Sequence, residues 1–217
     1  MKNYKTILFD LDGTLTDSSS GIINSIIYSM KKFGVTIEDT APLRRFLGPP
    51  LHESFMDVFG FDSEKAMKAV EYYREYYTVK GIEENSVYEG IEDLLASLRL
   101  EGKRLVVATS KPQPFAEKII NDFGLNKYFD FVAGSNLDGT RSKKVQVIKY
   151  ALKSCGIGDI SQAVMIGDRM HDVAGAKEAG IDCIGVEYGY GDYNELESAG
   201  ADYIVKTAED LKALLCK

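Results

Sequence analysis

Four short polar stretches carry residue types able to do chemistry together. The first is Asp10-Leu11-Asp12-Gly13-Thr14. Carboxylates two residues apart repel each other unless a cation shares them. Gly13 lets the chain turn sharply and present backbone amides to an anion. Thr109-Ser110-Lys111-Pro112 adds a pair of hydroxyls, and Thr140-Arg141-Ser142-Lys143-Lys144 adds cations. Gly167-Asp168-Arg169-Met170-His171-Asp172 supplies a second acidic pair, four residues apart. Brought together, these groups would hold a cation on carboxylates beside an anion on hydroxyls, amides and an ammonium.

The elements that must position them are legible as apolar runs. Tyr4–Phe9, Arg104–Ala108, Phe131–Ala133, Ala163–Ile166, Cys183–Val186 and Tyr203–Val205 are short and stop abruptly at polar residues or glycine, as buried parallel strands do. Most are separated by stretches with helical spacing, so the pattern predicts an α/β fold with a Rossmann-like parallel sheet. Ligands of such sheets bind beyond the carboxyl ends of the strands, where all four stretches would meet. From Ser18 to about Ser86 no strand is expected. Gly21–Phe33, Ala41–Phe46, Leu51–Phe59 and Ser63–Tyr77 have helical periodicity instead. A crossover needs far fewer residues. The expected organisation is a core of residues 1–16 and 87–217 with an all-helical cap domain at 17–86.

The two adjacent lysines can be separated by angle. The helix after them carries Val145, Val147, Ile148, Ala151 and Leu152 on one stripe. At about 100° per residue the stripe's centre lies roughly 30° from Lys144 and about 130° from Lys143. Lys144 is therefore expected to face inward, between Asp10 and Asp172.

Composition narrows the function classes. The chain has 217 residues, with 26 basic against 33 acidic side chains and a net charge of −7. That balance argues against coating a nucleic acid polymer or an anionic membrane. Cys155, Cys183 and Cys216 form no CxxC pair, so neither disulfides nor a thiolate zinc site is expected, and a reducing compartment is. No apolar run approaches the ~20 residues of a membrane span. Asp10 and Asp12 cut the first run too short for a signal peptide. The expectation is a cytoplasmic protein, monomer or homodimer.

The ordered set Asp10-x-Asp12, Thr109, a lysine at 143–144 and Asp168-x-x-x-Asp172 resembles the four signature motifs of the haloacid dehalogenase superfamily of phosphohydrolases. The helical insert after the first strand resembles the branch holding phosphoglycolate phosphatases, phosphosugar mutases and cap-bearing 5′-nucleotidases. Gly48-Pro49-Pro50-Leu51, Gly134-Ser135 through Lys144, and Gly189-Tyr190-Gly191 look most like the phosphoglycolate phosphatase and 5′-nucleotidase members. The resemblance implies a Mg²⁺-dependent phosphomonoesterase acting on a small phosphorylated metabolite, phosphoglycolate or a nucleoside 5′-monophosphate. A phosphosugar mutase using the same intermediate and a non-catalytic regulatory relative are the alternatives.

The chemistry fits those residue types. Asp10 would attack phosphorus and Asp12 would serve as general acid and base. Asp10, the Asp12 carbonyl and Asp168 form an oxygen-only shell suited to Mg²⁺. Gly13, Thr109, Ser110 and Lys144 would hold phosphate oxygens, and Asp172 would orient the lysine or a metal-bound water. Arg44 and Arg45 are candidates for substrate specificity in the cap. Asp17 with Ser18 to Ser20 is expected to cap the first inserted helix. His52 has no partner visible in sequence, and His171 lies between two motif carboxylates with nothing else marking it as a ligand or base. Tyr72, Tyr73, Tyr76 and Tyr77 are expected to be helix packing.

Overall fold

The computed structural model describes residues 2–216. The chain divides into two compact units, Met1–Thr16 with Val87–Lys217, and Asp17–Ser86.

The larger unit is built on six strands: β1 (Thr6–Phe9), β4 (Arg104–Pro112), β5 (Phe131–Ser135), β6 (Ala163–Gly167), β7 (Asp182–Val186) and β8 (Tyr203–Val205). All neighbours pair in parallel, in the order β5-β4-β1-β6-β7-β8. All six apolar runs contain strands, although β1 begins only at Thr6 and β4, β5 and β6 extend past their runs. β1 shows why these runs become central strands. Ile7, Leu8 and Phe9 are all fully buried. Each such side chain contributes about 1.5–3 kcal/mol on leaving water. That burial anchors the strand firmly enough to carry carboxylates at its end.

The flanking helices are α4 (Ile91–Leu100), α5 (Gln113–Asp122), α6 (Lys144–Ser154), α7 (Met170–Ala179), α8 (Tyr193–Ala199) and, after the last strand, α9 (Ala208–Leu215). α6 packs on α7, and α4 on α9. The stripe Val145, Val147, Ile148, Ala151 and Leu152 lies in one apolar cluster with Leu8, Val106, Met165 and Val173. β1 sits between β4 and β6, so the sheet's strand order reverses beside it. That switch point is where open α/β sheets form their ligand crevice.

The second unit contains α1 (Ser19–Lys32), α2 (Leu51–Phe59) and α3 (Ser63–Tyr76). α1 packs on α3, and Ser29 Oγ donates to the Ala69 carbonyl. Its core is aromatic, with Phe46, Phe55, Phe59 and Phe61 in mutual ring contact. Tyr73 stacks on Tyr77, both buried, as packing requires. The helix expected over Ser63–Tyr77 forms as α3, one residue shorter at its end. Tyr77–Gly81 winds as a π-turn, and Gly81 lies so close to Gly21 that a Cβ on Gly21 would overlap its carbonyl. The α1 cap is one residue removed from Asp17. Ser18 is the N-cap, and Asp17 Oδ1 accepts from the Ser19 amide. Two short strands, β2 (Thr16–Asp17) and β3 (Ser86–Val87), pair with each other at the boundaries of the insert.

Candidate active site

Asp10 follows the last residue of β1, and Asp168 follows the last residue of β6. Thr109 lies near the end of β4, while Lys144 and Asp172 occupy the first turns of α6 and α7. All five are buried, none more than 8% exposed.

Lys144 is the hub. Its Nζ lies 2.8 Å from Asp10 Oδ1 and 2.8 Å from Asp172 Oδ1, and it donates to the Ala108 carbonyl at 3.2 Å. A cation at a helix N-terminus is disfavoured by the dipole. Burial also pushes its pKa down, but Asp10 and Asp172 outweigh that and raise it. Lys144 therefore remains an ammonium. Asp172 Oδ2 accepts from the Arg169 amide at 3.1 Å, so one carboxylate caps α7 and grips the lysine. Lys143, one residue earlier, is exposed.

The acidic groups have no such surplus of partners. Burial, more than any other effect, pushes the Asp10 carboxyl up. Asp172 adds to this, while Lys144 and the Thr109 hydroxyl oppose it. Asp168 is pushed well above the usual carboxylate range by burial, then by Asp172 and Asp10. It receives the Thr14 hydroxyl at 3.0 Å and the Tyr190 amide at 2.8 Å. Glycines allow this close wrapping. A Cβ on Gly13 (φ +85°) or Gly189 would overlap Asp168, and one on Gly167 would overlap Asp172.

Asp10, Asp168 and Asp172 offer ligand oxygens all within 4.8 Å of one another. Three formal negative charges against the one ammonium of Lys144 leave two uncompensated. Buried unbalanced charge is costly. A hard divalent cation with oxygen preference would restore neutrality, and Mg²⁺ suits this donor set.

Asp12 stands slightly apart, at the start of the turn through Gly13, with its carboxylate 2.8 and 2.7 Å from Lys111 Nζ. Lys111 lies within a stretch the sequence singled out, yet it had no role there. The apolar run that places Thr109 ends at Ala108, so no pattern in the sequence reaches Lys111. Likewise Thr14 and the Tyr190 amide, both holding Asp168, were outside the expected set. Ser110 is half-buried on the same strand end. Arg44 and Arg45 are exposed on a 3₁₀ turn of the second unit. His171 is exposed, and His52 Nε2 lies 3.2 Å from both the carbonyl and hydroxyl of Ser63.

The geometry agrees with comparisons to known proteins. Residues 7–186 match the family model for haloacid dehalogenase-like hydrolases. A 5′-nucleotidase from Pseudomonas aeruginosa is 46% identical over 90% of this chain and 88% of its own length. Tyrosine-protein kinase PtkA from Mycobacterium tuberculosis is 41% identical over 93% of this chain, which spans 66% of that relative. The crystal structure of a predicted phosphatase from Clostridium acetobutylicum superposes with a TM-score of 0.95 at 50% identity, covering 99% of both chains. With its carboxylates, hydroxyl and lysine gathered at the sheet's switch point, the chain belongs to the haloacid dehalogenase-like hydrolase family.

Proposed function

We propose that the protein is a Mg²⁺-dependent phosphomonoesterase that forms an aspartyl-phosphate on Asp10. The observation that carries this reading is the buried cluster of Asp10, Asp168 and Asp172 around Lys144. Phosphate monoesters resist hydrolysis because their charge repels nucleophiles, so neutralising and positioning that charge is most of the task. The Asp10 and Asp168 carboxylates with the Asp12 carbonyl would hold Mg²⁺. Bound there, the ion supplies positive charge to the phosphoryl oxygens and lets a carboxylate approach phosphorus.

An Asp10 oxygen attacks phosphorus while the ester P–O bond breaks. Its electron pair goes to the leaving oxygen, which takes a proton from the Asp12 carboxyl. Water then attacks the aspartyl-phosphate and gives a proton back to Asp12. The P–O bond to Asp10 breaks, its electron pair returns to the carboxylate, and inorganic phosphate departs. Thr109, Ser110, the amides after Gly13 and the Lys144 ammonium hold the oxygens that gain charge. Asp172 keeps Lys144 aimed at them.

The substrate is a small phosphorylated metabolite, phosphoglycolate or a nucleoside 5′-monophosphate. The relative named 5′-nucleotidase, at 46% identity, favours the nucleotide. Arg44 and Arg45 of the helical insert, which serves as the cap, contribute to selection. The test is phosphate release from nucleoside 5′-monophosphates, phosphoglycolate, hexose phosphates and pyrophosphate. The nucleotides should give the highest kcat/KM, with no need for a bisphosphate activator. Turnover that requires a bisphosphate would replace this reading with a phosphosugar mutase. No phosphate release from any of them would replace it with a non-catalytic role.

A further inference from the structure

The Lys111–Asp12 pair performs a task that the reaction scheme leaves unassigned. Asp12 must place a proton on the leaving oxygen, yet it sits beyond β1, at the start of a sharp turn through Gly13. Its side chain is 16% exposed, against 1% for Asp172, so packing encloses it less tightly. A carboxylate on a turn swings between rotamers unless something fixes it. Proton transfer requires hydrogen-bond reach, about 2.6–3.2 Å between heavy atoms. An unfixed Asp12 would spend much of its time out of range.

Lys111 is mounted to prevent that. The β4–β5 register shifts between Ala108 and Pro112, so the strand end bearing Thr109, Ser110 and Lys111 is bulged. Bulges re-aim side chains. The Lys111 amide donates to Thr109 Oγ1 at 3.2 Å, tying the two residues together. A Cβ on Gly134 of β5 would come within 2.7 Å of the Lys111 carbonyl. The bulge therefore lies directly against its neighbour's backbone. From this base the lysine stem runs buried, with 6% of its side chain exposed, and the ammonium meets both Asp12 oxygens. Each carboxylate oxygen has two lone-pair sites, so one remains to carry the proton that passes to the leaving oxygen. The result is a repeat of pairs between neighbouring strand ends. Thr109 engages Asp10, and two residues further along each segment Lys111 engages Asp12.

We infer that Lys111 is a positioning residue that holds the Asp12 carboxyl group at the leaving-group oxygen during cleavage of the ester bond. This rests on the phosphomonoesterase reading and adds a residue to it. The reaction step is the one above, with Lys111 neither gaining nor losing a proton.

The test uses 4-nitrophenyl, phenyl and benzyl phosphate with Mg²⁺, comparing kcat/KM for wild type and Lys111→Met. That ratio reports the steps up to departure of the alcohol. Nitrophenolate leaves without a proton and benzyl alkoxide does not, so only the latter depends on a well-placed acid. Lys111→Met should stay within about threefold of wild type on 4-nitrophenyl phosphate and fall about 30-fold or more on benzyl phosphate. Near-normal turnover of the first substrate shows that the variant is folded. In an Asp12→Asn background, Lys111→Met should add less than about threefold on benzyl phosphate, because there is no acid left to place. Equal losses on all three esters would overturn the inference, since a structural or phosphate-binding lysine does not sense the leaving group. Full additivity with Asp12→Asn would overturn it too. A wild type silent on the whole series would instead overturn the phosphatase reading, and the inference with it.

Discussion

Replacing Lys144 by Met removes one charge and little volume. The stem is tightly packed, because a Cβ on Gly175 would lie 2.7 Å from Lys144 Cγ. Met keeps that stem in place while deleting the ammonium. At 2.8 Å from each of Asp10 and Asp172, each attraction is roughly 6 kcal/mol at an effective dielectric of about 20. Desolvation cancels much of this, so removing one partner of such a buried pair costs about 3 kcal/mol or more. For a chain of this size that is roughly 6–12 °C in melting midpoint. In catalysis, losing one donor to the developing phosphoryl charge costs about 10²-fold in kcat/KM, or ~3 kcal/mol. The pKa of Lys144 is raised on folding. Its stabilisation is therefore complete below the ordinary lysine value of 10.5 and is lost as pH rises through the higher folded value. On the alkaline side, the stability gap to wild type should accordingly close only in strong alkali. Steady-state kinetics on a nucleoside 5′-monophosphate, with thermal melts, measure both effects. Lys143→Ala, at an exposed position, should stay within about threefold. Lys144 does not hold the phosphoryl group if Lys144→Met keeps more than about a tenth of wild-type kcat/KM, or if Lys143→Ala loses more than Lys144→Met.

Two further outcomes follow from the same cluster. Chelation by EDTA should abolish phosphate release and Mg²⁺ should restore it, whereas Ca²⁺, with its longer bonds and higher coordination number, should restore little; full activity in chelator would remove Asp10 and Asp168 as ligands. Gly13→Ala should lower kcat/KM about 10²-fold, because its Cβ would both strain a φ of +85° and overlap Asp168; Gly102→Ala, with φ +71° and open space, carries the backbone cost alone and should leave turnover unchanged.

The residues that sequence made legible are those whose placement follows from a run of apolar neighbours. Asp10 and Asp168 could be located because Tyr4–Phe9 and Ala163–Ile166 end immediately before them or one residue away. Lys144 could be oriented because five apolar residues after it define a helix face. What stayed hidden lies where the pattern stops. β4 continues to Pro112, but its last residues are polar because they line the site rather than the core. Apolar periodicity therefore ended at Ala108, and Lys111 fell outside it. The stretch Gly189-Tyr190-Gly191 is irregular in sequence because its constraint is a contact from far along the chain. Its glycines make room for Asp168, while the Tyr190 amide donates to it. The π-turn at Tyr77–Gly81 was equally unreadable, since the close approach of Gly21 that accompanies it is tertiary.

The central claim is a covalent phosphoryl group on Asp10, and rapid acid quench during turnover tests it most directly. The quenched protein, digested and analysed by mass spectrometry, should carry the mass of one phosphoryl group on the peptide containing Asp10. The adduct should be labile to hydroxylamine, as an acyl phosphate is, and absent from Asp10→Asn protein. Phosphoryl found on a different residue, or phosphate release that continues in Asp10→Asn protein at more than a few per cent of the wild-type rate, would contradict the account.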